Sequence, residues 1–346
     1  SDRLRCSELV SKIVVDCDHK KWMEKQQRNH NSEGRNKITK AASSPYKKIS
    51  VPGAYGARAV VKSVRNATKL VIECSAPKFL TGQNVFGSEK LQPQVTAIVK
   101  KVCHYLDIRL SPQERKNVED GLVALHRIDV VGHLKMKNRD MVDKLLRNLK
   151  MQIMFLDRTT SNYNDQTLYI DQNSDWKSLK FYGKAAEVNF RPLDEALPHR
   201  DHIERYCEDL FRIELVLRRR FLKARGIKYV RDWSPKIGRK ILRTEISDLK
   251  LTDNSLKQFE HQPNMGSLPN CILALHNAGV DLRSIGFTQR QLKAHAKTIR
   301  SAIDVNINTP RSVQLLSDVP VRRIMHSLRF GKNRKAVALG ITEILS

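Results

Sequence analysis

The stretch 211-FRIELVLR-218 decides the fold class, because apolar and polar side chains alternate along it. One set is Phe211, Ile213, Leu215 and Leu217, and the other is Arg212, Glu214, Val216 and Arg218. Side-chain directions repeat every two residues in a β-strand, so each set shares one face. The pattern therefore predicts a strand with an apolar face toward a core and with Glu214 on the opposite face.

Two other stretches alternate in the same way and extend the prediction to a sheet. The polar set of 126-HRIDVVGHL-134 is Arg127, Asp129, Val131 and His133, and that of 178-SLKFY-182 is Ser178, Lys180 and Tyr182. Apolar residues at helical spacing in 95–106 and 142–149 predict helices between the strands. We therefore predict an α+β fold: a mainly antiparallel central sheet with helices packed on one face, followed by a smaller basic all-helical domain.

The charge balance indicates a polyanionic partner. Lys and Arg number 63 against 36 Asp and Glu, which gives a formal net charge of +27 and a pI near 10.0. A membrane is less favoured, because the sequence has no long apolar span and no basic amphipathic helix with Trp or Phe on its apolar face. Nucleic acid is the expected partner, and an aromatic content of 6% favours backbone recognition over extensive base stacking.

Composition divides the chain into three parts. Residues 1–50 are polar and basic, so we expect the compact core to begin near residue 50; the first residue is Ser, and we expect the natural start to be missing. Residues 51–236 carry the strand signals. Residues 237–346 lack them, and Thr288 with Gln291 has capping-box spacing before an amphipathic basic helix, which predicts a helical domain.

Four side chains on the polar faces of the predicted strands could act together. Asp129, His133 and Glu214 suit a hard divalent cation, and Tyr182 could attack a phosphorus atom to form a phosphotyrosine. The sequence has no GxxxxGK[ST] motif. Its absence is consistent with transesterification through a tyrosine, because that reaction retains the phosphodiester energy and needs no ATP.

The same residues have simpler interpretations. The two carboxylates each follow an arginine by two residues and could form cross-strand ion pairs. Tyr182 could be a packing aromatic, since tyrosines favour strands, and His133 could be structural. Under the catalytic interpretation, Lys180 and Lys184 would help Tyr182 to ionise, because a free tyrosine has a pKa of roughly 10.

Several motifs occur in one order and resemble a known family. They are 75-SAPKFLTGQNVFG-87, 126-HRIDVVGHL-134, 178-SLKFYGKAAEV-188, 211-FRIELVLRRRFLKARGI-227 and 273-LALHNAGVDLRSIGFTQRQLKAHAKTIRSAIDVNI-307. Over roughly residues 50 to 305 the chain resembles the replication initiators of filamentous phages, the gene II protein family. The resemblance implies rolling-circle replication: nicking of the plus strand at the phage origin, a 3′-hydroxyl left for polymerase, and later circularisation of the displaced strand.

The resemblance also implies roles for individual residues. Tyr182 would be the nucleophile and Lys184 would assist at the phosphate, within residues 51–236 as the nicking domain. Asp129 and Glu214 would bind Mg²⁺ or Mn²⁺, and His133 joins this candidate metal set.

The chain also departs from the family pattern. The family often has SPAK and GHN where this chain has 75-SAPK-78 and 82-GQN-84, and the His-hydrophobic-His motif of other rolling-circle nickases is absent. An opening family strand is expected to be missing.

Basic residues in three places are predicted to bind DNA phosphates. They are Lys78, Arg218, Arg219, Arg220, Lys223, Arg225, Arg290, Lys293, Lys297 and Arg300. The expected partners are the supercoiled double-stranded phage origin, the displaced single strand and the host replication machinery, and subunits could assemble on the origin. Six scattered cysteines without a CxxC pair predict a reducing compartment, the cytoplasm of the bacterial host, and no structural zinc.

Two alternatives remain open from the sequence. The first is a non-catalytic origin-binding or repressor protein of the same fold, and the second is a basic RNA-binding structural protein. Clustering of Tyr182 with Asp129 and Glu214 favours the enzyme, whereas burial of Tyr182 among apolar side chains favours the binder.

Overall fold

The computed structural model describes residues 5–24, 48–153, 158–163, 166–251, 267–277, 281–283, 285–303, 306–307 and 321–326. The strands are β1 (Arg5–Asp16), β2 (Lys48–Pro52), β3 (Arg58–Val64), β4 (Lys69–Glu73), β5 (Ala124–Lys135), β6 (Thr160–Tyr163), β7 (Thr167–Ile170), β8 (Lys177–Gly183) and β9 (Leu210–Arg218). They form one nine-stranded sheet in the order β2-β3-β4-β1-β5-β9-β8-β7-β6. Every neighbouring pair is antiparallel, so the predicted α+β class with an antiparallel central sheet is confirmed.

Helices fill the connections between these strands. They are α1 (Ala76–Thr81), α2 (Leu91–Tyr105), α3 (Pro112–Glu119), α4 (Arg139–Ile153), α5 (Lys184–Phe190), α6 (Arg200–Cys207), α7 (Arg219–Ala224), α8 (Pro235–Asp248), α9 (Ser267–Asn277), α10 (Gln289–Ile303) and α11 (Val321–His326), and residues 20–24 are also helical. None of the helices in the described part of the chain is long and apolar enough to cross a membrane.

The main hydrophobic core lies between one face of the sheet and the helices α2, α4 and α8. Register pairs Leu217 with Ile128 and Leu215 with Val130, so the apolar sets predicted for β5 and β9 lie side by side. Apolar residues of the helices, such as Ile98 and Leu145, belong to the same buried cluster. The period of two thus directs the remaining side chains of these strands to the opposite, polar face.

The prediction that the core begins near residue 50 is wrong for β1. This strand lies between β4 and β5 near the middle of the sheet, and Ile13 and Val15 are each only 1% exposed. An opening strand, which we expected to be missing, is therefore present. The polar part of the N-terminal segment that follows lies, for residues 25–47, outside the described residues.

A double bulge between β1 and β5 explains why the alternation in β1 is hard to recognise. Val10 pairs with Ile128 and Lys12 with Arg127, which leaves Ser11 as an extra residue in β1. Ile13 then pairs with Leu125, which leaves His126 as an extra residue in β5. Bulges re-aim side chains, and here they occur beside the polar face.

The helical region after residue 236 contributes to two cores. The predicted boundary falls inside α8, whose Leu242 and Ile246 are buried in the main core, as are Val321 and Met325 of α11. α9 and α10 build a separate cluster that contains Ile272, Leu273, Leu282, Leu292 and Ile299.

The predicted start of α10 is confirmed by its hydrogen bonds. The Thr288 backbone N–H donates to Gln291 Oε1 at 2.9 Å, and the Gln291 backbone N–H donates to Thr288 Oγ1 at 3.3 Å. This reciprocal pair is the capping box that the spacing predicted.

Candidate active site

An open cleft of about 340 Å³ lies on the polar face of the sheet, and we call it the tyrosine cleft. Five adjacent strands contribute to it: Glu73 from β4, Ser11 from β1, Arg127 and Asp129 from β5, Glu214 from β9, and Lys180 and Tyr182 from β8. The segment after β4 adds Cys74, Ser75 and Asn84, and α5 adds Glu187. The structure therefore brings together three of the four side chains that the strand patterns placed on one face.

Tyr182 is buried, but polar groups surround it. Its neighbour Phe181 packs in the main core, so alternation turns the Tyr182 ring toward the polar face. The hydroxyl donates a hydrogen bond to Glu214 Oε1 at 2.8 Å, and Lys180 Nζ lies 3.9 Å from the ring centroid. Burial raises the pKa of Tyr182 well above its usual value, and Arg212 offsets this only in part. The phenol is therefore neutral at physiological pH.

Glu214 is held as a carboxylate by its arginine. Arg212, which is fully buried, places Nη2 2.8 Å from Glu214 Oε1 and donates from Nη1 to the Asn84 carbonyl oxygen at 2.6 Å. Burial acts to raise the pKa of Glu214, but the charges of Arg212 and Lys180 outweigh it and leave the pKa below its usual value. The predicted ion pair is thus present, and it coexists with the hydrogen bond from Tyr182.

Asp129 is fixed from both sides in the tyrosine cleft. Arg127 donates from Nε to Oδ1 at 2.9 Å and from Nη2 to Oδ2 at 3.1 Å, and the bulged Ser11 donates from Oγ to Oδ2 at 2.7 Å. Burial raises the pKa of Asp129 despite the opposing charge of Arg127. The bulge therefore adds a hydroxyl donor that the strand pattern did not reveal.

Lys184 does not line the tyrosine cleft, contrary to the expectation that it assists directly at a phosphate. It is 1% exposed and donates from Nζ to Asn84 Oδ1 and to Glu187 Oε2, each at 2.8 Å. Burial lowers its pKa to about 8, with a contribution from Arg212. Burial acts in the opposite direction on Glu187, but Lys184 and Arg212 together hold its pKa well below the usual range. The ammonium group therefore positions Asn84 and Glu187, and Lys180 is the lysine that faces the cleft.

His133 is also separated from the other predicted metal ligands. It is buried and lies four residues beyond Asp129 on β5, which corresponds to roughly 13 Å at about 3.3 Å per residue. Its register partner is Arg212, not Glu214. Within the described residues, no group of three or more His, Cys, Asp or Glu side chains is arranged to hold a metal ion. The predicted set of Asp129, Glu214 and His133 is therefore not assembled.

The predicted DNA-binding residues fall in separate places. Arg218, Arg219, Arg220 and Lys223 line a second cleft, together with Lys12, Glu73, His126, Arg127 and Asp175, and we call it the arginine cleft. Arg225 is exposed at the end of α7, and Lys78 is half-buried in α1. On α10, Arg290, Lys293 and Lys297 are exposed and Arg300 is half-buried.

Three residues of the site were not singled out from the sequence. Ser11 lies in a strand that its composition concealed, and Asn84 lies in a segment without regular periodicity. Glu187 stands three residues after Lys184 on α5, a spacing at which side chains of a helix meet. That spacing was a usable signal for the Lys184–Glu187 pair.

Comparison with known proteins agrees with this arrangement of strands and motifs. Residues 10–236 match the family described as the N-terminal part of the phage replication-associated protein encoded by gene II. The replication-associated protein of that kind from Enterobacteria phage I2-2 is 21% identical over 265 residues, which are 75% of this chain and 76% of that protein. The solved structure of a rolling circle replication initiator protein from Geobacillus stearothermophilus has 13% sequence identity and a TM-score of 0.26, over 66% of this chain and 79% of that one, a likeness too weak to carry an argument. Because the family match covers well over half of the residues, the chain belongs to the gene II family of phage replication-associated proteins, the rolling-circle initiator family that its motifs resemble.

Proposed function

We propose that this protein nicks one strand of a phage origin through Tyr182 and later rejoins the displaced strand. The observation that carries the proposal is the hydrogen bond from the Tyr182 hydroxyl to the ionised Glu214 inside an open cleft. Membership of the replication-associated family supports the substrate class. The net charge of +27 supports a polyanionic partner.

The chemistry begins with a proton transfer. Tyr182 is neutral, so its Oη becomes a nucleophile only when a base takes the proton, and Glu214 is the carboxylate at hydrogen-bonding distance. Oη attacks the scissile phosphorus, the bond from phosphorus to O3′ breaks, and O3′ takes up a proton to become a 3′-hydroxyl. The 5′ side of the nick stays attached as a phosphotyrosine, and attack by a 3′-hydroxyl on that phosphotyrosine rejoins the strand.

Cations around Tyr182 suit the charge that develops at phosphorus. Arg127 and Lys180 line the tyrosine cleft, and Arg212 lies behind Glu214. Preorganised cations in a partly desolvated site stabilise an anionic transition state more strongly than they would in water. We assign to Lys180 the phosphate-facing role that the motif suggested for Lys184.

A divalent cation fits the tyrosine cleft in the manner usual for Mg²⁺. That ion is commonly held by one or two carboxylates together with substrate phosphates, without a dedicated protein cage. Asp129 and Glu214 supply hard oxygen donors on adjacent strands, and Glu187 supplies a third carboxylate at the rim. Bound there, Mg²⁺ or Mn²⁺ would polarise the phosphodiester.

One observation favours the alternative of a non-catalytic origin binder. Tyr182 is only 2% exposed, so most of its ring is inaccessible to a substrate. However, its neighbours on the polar face are the charged groups of Glu214, Arg212 and Lys180, not apolar side chains. The enzymatic interpretation is therefore the better supported one.

The test is incubation of the purified chain with supercoiled cognate phage DNA and Mg²⁺. Relaxed circles and protein-linked DNA are scored after denaturation for the native chain and for Tyr182→Phe. We expect both products to disappear in Tyr182→Phe and to persist in Tyr105→Phe, a matched change at an exposed tyrosine of α2. Binding without nicking by the native chain would support the alternative, and undiminished nicking by Tyr182→Phe would move the nucleophile elsewhere, with Tyr169→Phe as the next variant.

A further inference from the structure

The arginine cleft lies directly beside the tyrosine cleft, and the two share Glu73 and Arg127. Its remaining cations are Lys12, Arg218, Arg219, Arg220 and Lys223. Only one further carboxylate, Asp175, lines it. A continuous surface therefore leads from Tyr182 into a strongly cationic depression.

The double bulge gives this cleft an unusual floor. In a regular strand His126 and Arg127 would point to opposite faces of the sheet. Because His126 is the extra residue of β5, both side chains line the arginine cleft. A ring that is both donor and acceptor is thus placed among fixed cations, and bulges of this kind are over-represented next to active sites.

Several of these cations have their charge only partly compensated. Lys12 lies 3.4 Å from Glu73, and Arg220 lies 2.8 Å from Asp175 in a pair that is largely exposed. Within the described part of the chain, neither Arg219 nor Lys223 has a carboxylate at ion-pair distance. Both are exposed on α7, where they can meet an anionic ligand without disturbing the core.

We propose that the arginine cleft binds the sugar-phosphate backbone of the strand that Tyr182 cleaves, beside the scissile phosphate, with His126 as a hydrogen-bond donor to a phosphate oxygen. The inference rests on the proposed function for the identity of the strand. Its geometry depends only on the bulge and on the shared wall formed by Arg127 and Glu73. The ligand class is a phosphodiester chain, because a row of cations leading to a nucleophile matches the spacing of charge along a backbone and not a single anion.

The protonation of His126 supplies a diagnostic signal. Burial, together with the charges of Arg219, Lys12 and Lys69, lowers the pKa of His126 to about 4. The charged groups around it come from five elements: Lys12 on β1, Lys69 and Glu73 on β4, Arg127 on β5, Arg218 on β9, and Arg219, Arg220 and Lys223 on α7, with Asp175 in the loop before β8. A bound phosphate offsets this positive field and raises the pKa, so binding takes up a proton and strengthens as the pH falls.

The experiment measures the binding of a fluorescent single-stranded oligodeoxynucleotide from the cognate origin by anisotropy. The full chain carries Tyr182→Phe so that the probe is not cleaved. Arg219→Gln and Lys223→Gln should each weaken binding and reduce the slope of log K against log salt by about 0.7. Arg115→Gln, an exposed arginine on α3, is the matched control and should leave the slope unchanged.

The pH arm uses His126→Gln beside His104→Gln, an exposed histidine on α2. Between about pH 8 and about pH 5.5 the affinity should rise in the parent and in His104→Gln, and the rise should be lost in His126→Gln. Equal binding by the Arg219, Lys223 and Arg115 variants would overturn the site, and a persistent pH response in His126→Gln would overturn the role of that ring. Nicking by the native chain is scored separately, so failure of the cleft variants to change binding while adducts still form refutes this inference alone.

Discussion

The Tyr182 hydroxyl donates a 2.8 Å hydrogen bond to Glu214 Oε1, and the same oxygen lies 2.8 Å from Arg212 Nη2. One carboxylate oxygen thus receives both the candidate nucleophile and a buried cation. The arginine keeps Glu214 ionised, and burial keeps the phenol protonated. A proton acceptor and a proton donor are therefore held in contact before any substrate arrives.

Removing the charge of Glu214 should separate catalysis from DNA binding. Glu214→Gln keeps the shape of the side chain but no longer accepts the phenolic proton, and we expect nicking to fall by roughly 10²–10⁴-fold. The formation of protein-linked DNA is measured against time, with Glu119→Gln on α3 as an exposed control. Oligonucleotide binding and the unfolding temperature are recorded in parallel, and nicking at the native rate by a folded Glu214→Gln would contradict the role as a base.

Arg212 should be among the most important single charges for stability. Arg212→Met removes a fully buried cation and leaves Glu214 without its partner, and breaking such a pair costs about 3–5 kcal/mol. Urea denaturation gives the loss in the free energy of unfolding. Arg220→Gln breaks the exposed pair with Asp175 and should cost less than about 1 kcal/mol. Similar losses for the two variants would show that the burial of Arg212 is not important energetically.

Lys184 should give the protein a recognisable pH dependence of stability. Its pKa in the folded state is about 8, against 10.5 for the free group, so between these values the unfolded chain binds more protons. The free energy of unfolding therefore gains a contribution that rises with pH across this window, by roughly 3 kcal/mol at most.

Urea denaturation of the native chain and of Lys184→Met across the same pH range measures that contribution. The rise should be absent in the variant and retained in Lys100→Met, an exposed lysine on α2. A rise of equal size in Lys184→Met would assign it to other groups.

Asp129 should determine how much divalent cation the reaction requires. Asp129→Asn removes one of the two carboxylate donors, so the Mg²⁺ concentration for half-maximal nicking should increase by about tenfold or more. Nicking is titrated with Mg²⁺ and with Mn²⁺, and EDTA should abolish it while leaving the binding of the oligonucleotide intact. Asp140→Asn, at an exposed residue of α4, serves as the control. Full nicking in EDTA would exclude a role for the metal.

The strand patterns predicted a large part of the site. Alternation in β5, β8 and β9 placed Asp129, Glu214 and Tyr182 on the polar face, and the structure brings these three into one cleft. The same alternation placed His133 on that face but could not show how far along β5 it would lie. Face and distance are separate quantities, because alternation sets only the direction of a side chain and register sets its neighbours.

The sequence by itself determined the class of the fold, the face on which each strand residue lies, the capping box of α10 and the basic character of the whole chain. These features depend on local periodicity and composition, which are written in consecutive residues. The tertiary structure decided the rest. The bulges at Ser11 and His126 and the burial of Lys184 against Asn84 and Glu187 arise from pairing and packing between segments distant along the chain, and those contacts leave no periodic trace in the sequence.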